Sequence, residues 1–168
     1  MLWRVINMKP LTSIEIKLCQ KQAKLFEASV SKTEYSSPVF IRRFMYSSIA
    51  KSMDDKGYLF ASESEEDVFL TLEDEFGKSS YGKEKFSKDQ MFWIGYIYRC
   101  LSIKYKLSSK SIYRLFNASE IIKYYNICHT YDIVDAAERM MESISYDNSS
   151  IEKKAYDAMK RLMYGKNG

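Results

Sequence analysis

The 168-residue sequence has little proline and glycine, two and six residues respectively, and a single histidine. Because proline and glycine interrupt helices and shape irregular loops, their scarcity favours helices joined by short connections. With His129 as the one imidazole, a histidine-rich metal site is excluded. No stretch approaches the roughly 20 apolar residues of a membrane-spanning helix. The sequence therefore predicts a helix-rich chain that stays out of membranes.

Cysteines are also few, at positions 19, 100 and 128, and none of them forms a C-x-x-C pair. An odd number of widely spaced cysteines argues against a disulfide framework and favours a reducing compartment. The opening "MLWRVINMKPLTS" is charged at Arg4 and Lys9 and has no sustained apolar run, unlike a secretory signal. We therefore expect a cytoplasmic protein.

Signatures of the common enzyme classes are missing. The sequence contains no G-x-x-x-x-G-K-[ST], G-x-G-x-x-G, H-E-x-x-H or G-x-S-x-G motif. Cys128 and His129 are adjacent, but Cys–His catalysis needs a convergence in space that adjacency does not provide. We interpret His129 as a structural histidine or as a hydrogen-bond donor to a partner. The sequence predicts a non-enzymatic protein with no catalytic residues, no cofactor and no metal site.

The net charge of +4 is unevenly distributed. Residues 1–86 contain 13 Lys+Arg and 13 Asp+Glu, whereas residues 87–168 contain 13 and 9, so the whole excess lies in the second half. Seven acids between Glu63 and Glu75 form a block with no intervening base. This asymmetry suits a charged partner, although solvated helix faces and favourable helix dipoles produce the same pattern more often.

Capping signals recur along the chain and predict the starts of helices. The predicted N-caps are Thr12 (in a capping box with Glu15), Ser37, Ser64, Ser87, Ser108 or Ser109, Asp132 and Ser149. Ser37 with Pro38 predicts one continuous helix through residue 56, and "KGYLFAS" offers an optional short strand near 58–61. The predicted fold is an all-α, single-domain bundle of about six to seven helices over residues 13–164, preceded by an N-terminal arm at 1–12.

The segment "YIYRCLSIKYKLSSKSIYRLF", residues 96–116, combines four tyrosines with five basic residues and contains no acid. Helical spacing predicts one buried line on the helix that follows Ser87. Its members are Met91, Ile94, Tyr98, Leu101 and Tyr105. Arg99, Ser102 and Lys106 are then predicted on the opposite face. Gly95 costs about 1 kcal/mol in mid-helix relative to alanine, so we expect another backbone, most simply another helix of the fold, to approach it closely.

The same segment has the length of a helix-turn-helix. In that motif the second helix enters the major groove of DNA and presents polar or basic residues at its N-terminal end. Lys110, Ser111 and Arg114 would contact bases here, with Lys104 and Lys106 on phosphates. The second helix is about two turns long and must also bury its apolar residues. DNA binding is therefore an alternative hypothesis.

Two adjacent arginines, Arg42 and Arg43, occur in "FIRRFM" and point about 100° apart on a helix. A pair of arginines can hold a carboxylate or phosphate bidentately. Each can also extend along the rim of a core with its charge in water. Both interpretations are compatible with the sequence.

Residues 96–142, "YIYRCLSIKYKLSSKSIYRLFNASEIIKYYNICHTYDIVDAAERMME", resemble small helical proteins encoded in bacterial toxin–antitoxin operons. The similar features are a Tyr-rich helix, the pattern LSSK-x-[IV]-Y-x-L-F, a short helix and a His-Thr step before an amphipathic helix. "FIRRFM" and "YGKEKFSKDQMFWIGYIYR" extend the resemblance to about two-thirds of the chain, from Ser37 to Glu142. The resemblance implies a protein that binds a companion toxin, encoded by an adjacent gene, and blocks its active site.

We therefore predict an antitoxin-like interaction protein, in which Tyr and Arg supply most contacts because these residues dominate protein–protein hot spots. The predicted partner-binding residues are Arg42, Arg43, Tyr98, Arg99, Tyr105, Tyr113, Arg114 and His129. Charge reversal at Arg99 and Arg114 is expected to weaken binding without unfolding the chain. The alternative is a helix-turn-helix regulator that binds operator DNA through the basic residues between 104 and 114.

Overall fold

The computed structural model describes residues 9–56 and 63–164, which form one all-α domain with eight helices in these ranges. The helices are α1 (Ser13–Lys32), α2 (Ser37–Met45), α3 (Ser48–Lys56), α4 (Glu65–Phe76), α5 (Lys88–Tyr105), α6 (Ser109–Leu115), α7 (Ala118–Cys128) and α8 (Ile133–Tyr164). The all-α prediction is confirmed, with slightly more helices than expected. The optional strand near 58–61 and residues 1–8 of the predicted arm lie outside the described residues.

Helix α5 lies at the centre of the domain, and α1, α6, α7 and α8 pack against it. An aromatic cluster ties α1 and α2 to it. The ring centroid of Phe26 lies 5.1 Å from that of Phe40, 5.0 Å from that of Phe44 and 6.2 Å from that of Tyr98, all in edge-to-face geometry. Burial of each such ring stabilises the fold by about 1.5–3 kcal/mol, so this cluster is a main source of cohesion.

Gly95 lies where α1 and α5 come closest. A Cβ atom at this position would lie 2.8 Å from Cγ of Phe26, 2.9 Å from Cα of Ala23 and 2.9 Å from the carbonyl oxygen of Gln22. Two of these atoms belong to the backbone of α1 and cannot move aside as a side chain can. The predicted close approach is therefore confirmed, and the approaching body is a helix of the same fold.

Of the two alternatives for α6 the N-cap is Ser108, and the N-caps predicted at Thr12, Ser64 and Ser87 are confirmed. Each of these side chains accepts a hydrogen bond from a backbone N–H in the first turn of its helix. The start of α2 differs by one residue, since its N-cap is Ser36 and not Ser37.

The prediction of one continuous helix through residue 56 is wrong, because α2 ends at Met45 and α3 begins at Ser48. Tyr46 and Ser47 lie between them, and Ser47 makes the bonds that break the helix. Its hydroxyl donates to the carbonyl of Phe44 over 2.6 Å and accepts from the N–H of Ala50 over 3.1 Å. Such local serine bonds compete with the helical ladder, and here they end α2 and satisfy an N–H in the first turn of α3.

The prediction of a helix start at Ser149 is also wrong. Helix α8 runs without interruption from Ile133 to Tyr164, and no glycine or proline between these residues would end it. Its first half packs on the core as far as Ile144. Within the described residues, no helix is both long enough and apolar enough to cross a membrane.

Candidate partner-binding surface

The structure places two of the predicted partner-binding residues in the interior. Tyr98 is fully buried, and its hydroxyl donates to the carbonyl of Phe116 over 2.5 Å. Arg99 is 1% exposed, and Ser102 is buried beside it. The prediction that Arg99 and Ser102 face away from the core is wrong, because other helices surround α5 on both sides. Neither Tyr98 nor Arg99 presents atoms to a partner in this fold.

Arg99 is held by three side chains from three other helices. Its Nη1 donates to Oδ1 of Asp54 over 2.7 Å, its Nε to Oε1 of Gln22 over 2.9 Å, and its Nη2 to Oγ of Ser109 over 3.0 Å. Burial lowers the pKa of Arg99, and the carboxylate of Asp54 opposes that shift. A buried guanidinium is tolerated because its charge is paired and its donors are bonded.

The carboxylate of Asp54 also anchors the start of α6. Its Oδ2 accepts from the N–H of Ser109 over 2.8 Å, and its Oδ1 accepts from the hydroxyl of Ser109 over 2.7 Å. Gln22 extends the network by donating to the carbonyl of Gly95 over 3.0 Å. Helices α1, α3, α5 and α6 are thus joined at one buried point, which determines the orientation of α6.

Arg43 and His129 also bond within the chain. The guanidinium of Arg43 lies 4.6 Å from the ring centre of Tyr35 and donates to the carbonyl of Gly77 over 2.7 Å. It therefore follows the rim of the core, and it bonds Gly77, the residue that follows the end of α4. His129 is exposed but stacks on Tyr125, with 4.6 Å between ring centres, and its Nδ1 lies 2.8 Å from the carbonyl oxygen of the same residue.

Tyr105 is half-buried on α5 and packs against the core. Burial raises the pKa of its hydroxyl to about 12. The sequence pattern placed Tyr105 at the end of the buried line, and this partial burial agrees with that position.

The remaining predicted residues, Arg42, Tyr113 and Arg114, belong to the α2 and α6 region, where two of them lie near Tyr46 and Lys110. The rings of Tyr46 and Tyr113 meet edge to face with 5.5 Å between centroids, and the Nζ of Lys110 lies 5.2 Å from the ring centre of Tyr46. Arg42 lies close enough for its charge to oppose the burial that raises the pKa of Tyr113. Arg114 is exposed one helical turn beyond Lys110. We call these five residues the basic aromatic cluster.

The cluster combines two ordered tyrosines with three cations. Among the described residues, none of its three cations forms an ion pair. Arginine and lysine beside aromatic rings suit carboxylates or phosphates on a partner. Sequence reasoning did not select Tyr46, because this residue is exposed only as a result of the interruption between helices α2 and α3.

The residues predicted to contact DNA differ in their exposure. Lys106 is exposed and ends α5 in the left-handed conformation, with φ of 52°. The hydroxyl of Ser111 accepts a hydrogen bond from the hydroxyl of Ser108 over 2.9 Å, and Lys104 is half-buried. Helix α6 has seven residues, and its first N–H is bonded to Asp54 in the interior. The N-terminal end of α6, which a helix-turn-helix would present to bases, is therefore occupied.

A groove of about 880 Å³ lies between the end of α1, one face of α4 and the loop that follows α4. We call it the α1–α4 groove. Its apolar surface comes from Phe69 and from Leu70, whose side chain is 59% exposed. Glu66 and Glu73 line it on the same helix. Part of the acidic block, which the sequence pattern attributes to a solvated helix, therefore borders this groove, which Lys32 and Lys78 also line.

The three cysteines are buried and unpaired. Burial raises the pKa of the Cys100 thiol to about 12 and shifts that of Cys19 further in the same direction. Both thiols are therefore protonated and unreactive at neutral pH. In the two described ranges, no group of three or more His, Cys, Asp or Glu residues lies close enough to hold a metal ion.

Because the pKa values of these thiols are raised in the folded chain, we expect a loss of stability at alkaline pH. Below the ordinary thiol pKa of 9.0 the folded and unfolded chains are equally protonated, and above it the unfolded chain loses protons first. Each buried thiol should therefore lower the free energy of unfolding by up to about 1.4 kcal/mol per pH unit between pH 9 and its folded pKa. Urea unfolding as a function of pH would measure this slope. Cys100→Ala should make the slope shallower, and an unchanged slope would contradict the assignment.

The described surface thus offers two features with a chemical preference. The basic aromatic cluster suits an acidic partner, and the α1–α4 groove suits an apolar segment flanked by bases. Neither feature brings together a nucleophile, a general base and an oxyanion-binding group. Comparison with protein-family models, with curated proteins and with solved structures finds no match.

Proposed function

We propose that this chain is a non-enzymatic, antitoxin-like interaction protein that binds and neutralises a toxin encoded by an adjacent gene. The observation that supports the proposal most is the basic aromatic cluster, in which Lys110 lies by the ring of Tyr46, Arg42 lies near Tyr113, and Arg114 is exposed one turn beyond Lys110. A cytoplasmic location belongs to the same proposal. It is supported by three cysteines that remain free.

The cluster has the chemistry of a protein–protein hot spot. Tyr46 and Tyr113 already hold each other edge to face, so little side-chain freedom remains to be lost on binding. The cations at its border have no acidic partner among the described residues, so carboxylates of a partner would neutralise them. A partner with an acidic patch around an aromatic or aliphatic side chain would fit this surface.

Two charge reversals on this surface, Arg42→Glu and Arg114→Glu, test the proposal. Both side chains are exposed, so the fold should persist. We expect the double variant to bind the adjacent gene product at least about 30-fold more weakly, equivalent to about 2 kcal/mol. In co-expression, the unaltered chain should restore growth that the toxin alone arrests, and the variant should not. Calorimetry on the purified pair would give the affinity.

The matched control is Lys17→Glu with Lys24→Glu on the exposed face of α1, which changes the net charge by the same amount. This control should bind and protect like the unaltered chain. Equal loss in both variants would make the effect one of net charge alone and would contradict the surface assignment. No binding to any adjacent gene product would overturn the antitoxin proposal.

The helix-turn-helix alternative would give a different result in the same assays. Recovery of a partner that nuclease abolishes, together with DNA affinity that falls steeply with salt, would assign Lys106, Lys110 and Arg114 to phosphates. An absence of DNA binding at low salt would exclude that role. The occupied start of α6 makes us favour the protein partner.

A further inference from the structure

The second half of α8 presents an unpartnered surface. Every side chain that the structure describes between residues 153 and 161 is exposed, including Tyr156 at 65% and Met159 at 62%. We call residues 153–161 the α8 tail. It contains four bases and one acid. Two large apolar side chains exposed on one basic helical segment are typical of an interaction surface.

Helical spacing gives the tail one contact face. Tyr156 and Met159 are three residues apart, and Lys153 and Lys160 lie three residues before and four residues after Tyr156. All four side chains therefore project from the same side of the helix. The two lysines are seven residues apart, a spacing of about 10.5 Å along the axis, and they flank the apolar pair.

Helix α4 carries the opposite arrangement in the α1–α4 groove. Glu66 and Glu73 are also seven residues apart, and they flank Phe69 and Leu70. The two acids therefore have the same axial separation of about 10.5 Å as the two tail lysines. Neither acid forms an ion pair among the described residues, and the nearby Lys32 is bonded to Glu65 over 2.7 Å.

We propose that the α8 tail of one copy binds in the α1–α4 groove of a second copy. Tyr156 and Met159 would cover Phe69 and Leu70, while Lys153 and Lys160 would pair with Glu66 and Glu73. The tail does not occupy the groove of its own chain, because its described side chains are exposed. Each copy has one tail and one groove, so reciprocal exchange closes a two-fold dimer. This surface is separate from the basic aromatic cluster, and the inference does not depend on the proposed function.

Complementary charge reversals test the exchange on the full-length chain. The groove variant carries Glu66→Lys and Glu73→Lys, and the tail variant carries Lys153→Glu and Lys160→Glu. Each variant alone would place like charges opposite each other, so we expect self-association at least about tenfold weaker than in the unaltered chain. A 1:1 mixture pairs the reversed groove with the reversed tail, and the unaltered groove with the unaltered tail. It should therefore restore the dimer, as sedimentation velocity at low and high salt would measure.

Circular dichroism and thermal unfolding provide the folding control, since all four positions are exposed. Lys17→Glu with Lys24→Glu matches the charge change of the tail variant and should leave association unchanged. The proposal is overturned if the unaltered chain is monomeric at low salt across the concentration range. It is equally overturned if a dimer survives both variants, or if the mixture stays monomeric. Binding to anionic lipid vesicles that only the tail variant loses, with no dimer, would assign the tail to a membrane surface instead.

Discussion

Replacing Arg99 with methionine should lower the free energy of unfolding by about 3–5 kcal/mol, the usual loss when one partner of a buried ion pair is removed. Methionine fills much of the same space but leaves the carboxylate of Asp54 without its cation and Gln22 without its donor. Urea unfolding followed by circular dichroism would measure the change. The loss should occur without any partner present, since the role of Arg99 is internal.

Arg114→Met is the matched control, because it removes the same charge from an exposed position and should change stability by less than about 0.5 kcal/mol. Combining Arg99→Met with Asp54→Asn removes both charges. The combined loss should be smaller than the sum of the single losses by about 0.5–3 kcal/mol, which is the coupling of the pair. A loss at Arg99 as small as that at Arg114 would contradict the buried network.

These expectations replace the sequence-based one for Arg99. Charge reversal at this residue should unfold the chain, because a carboxylate would then face Asp54 in the interior. The same reversal at Arg114 should leave the fold intact. The two arginines look equivalent in the sequence, and the packing around α5 gives them opposite roles.

Replacing Gly95 with alanine should destabilise the protein by about 1–3 kcal/mol, the typical loss on overpacking. In an isolated helix the same change would stabilise by about 1 kcal/mol, so the sign of the effect is diagnostic. The reason is the position of α1, since the new Cβ atom would lie 2.9 Å from Cα of Ala23 and 2.9 Å from the carbonyl oxygen of Gln22. The midpoint of urea unfolding would report the change.

Asn126→Ala supplies the control for helix propensity, because Asn126 is exposed on α7 and meets no such obstacle. This substitution should leave stability unchanged or raise it by up to about 0.7 kcal/mol. If Gly95→Ala stabilised the chain as well, the close approach of α1 and α5 would be contradicted. Opposite signs at the two positions would support it.

Local features of the sequence predicted much of the secondary structure. The capping box of Thr12 and Glu15, the cap at Ser64 and the cap at Ser87 each satisfy backbone donors within three residues, so no distant contact decides them. Gly95 was also informative, because a costly glycine in mid-helix needs a compensating contact. Helix starts and the close approach at Gly95 could therefore be predicted.

Other local signals gave wrong helix boundaries, because a competing interaction was stronger. Ser149 carries a capping pattern, but nothing before it ends α8, and a cap cannot start a helix inside an unbroken ladder. The segment from Ser37 to residue 56 was predicted as one helix, yet the two hydrogen bonds of Ser47 end α2 and start α3. Periodicity alone does not register such bonds.

The sequence by itself determined that the chain is helical and where most of its helices begin, because capping and periodicity act over a few residues. Only the tertiary structure decided which charged residues are buried and which are exposed. Arg99 and Asp54 are 45 residues apart in the chain, and no local rule pairs them. The basic aromatic cluster likewise joins α2 to α6 across the bundle. Contacts of this range depend on how whole helices pack, and packing reflects all the buried side chains together.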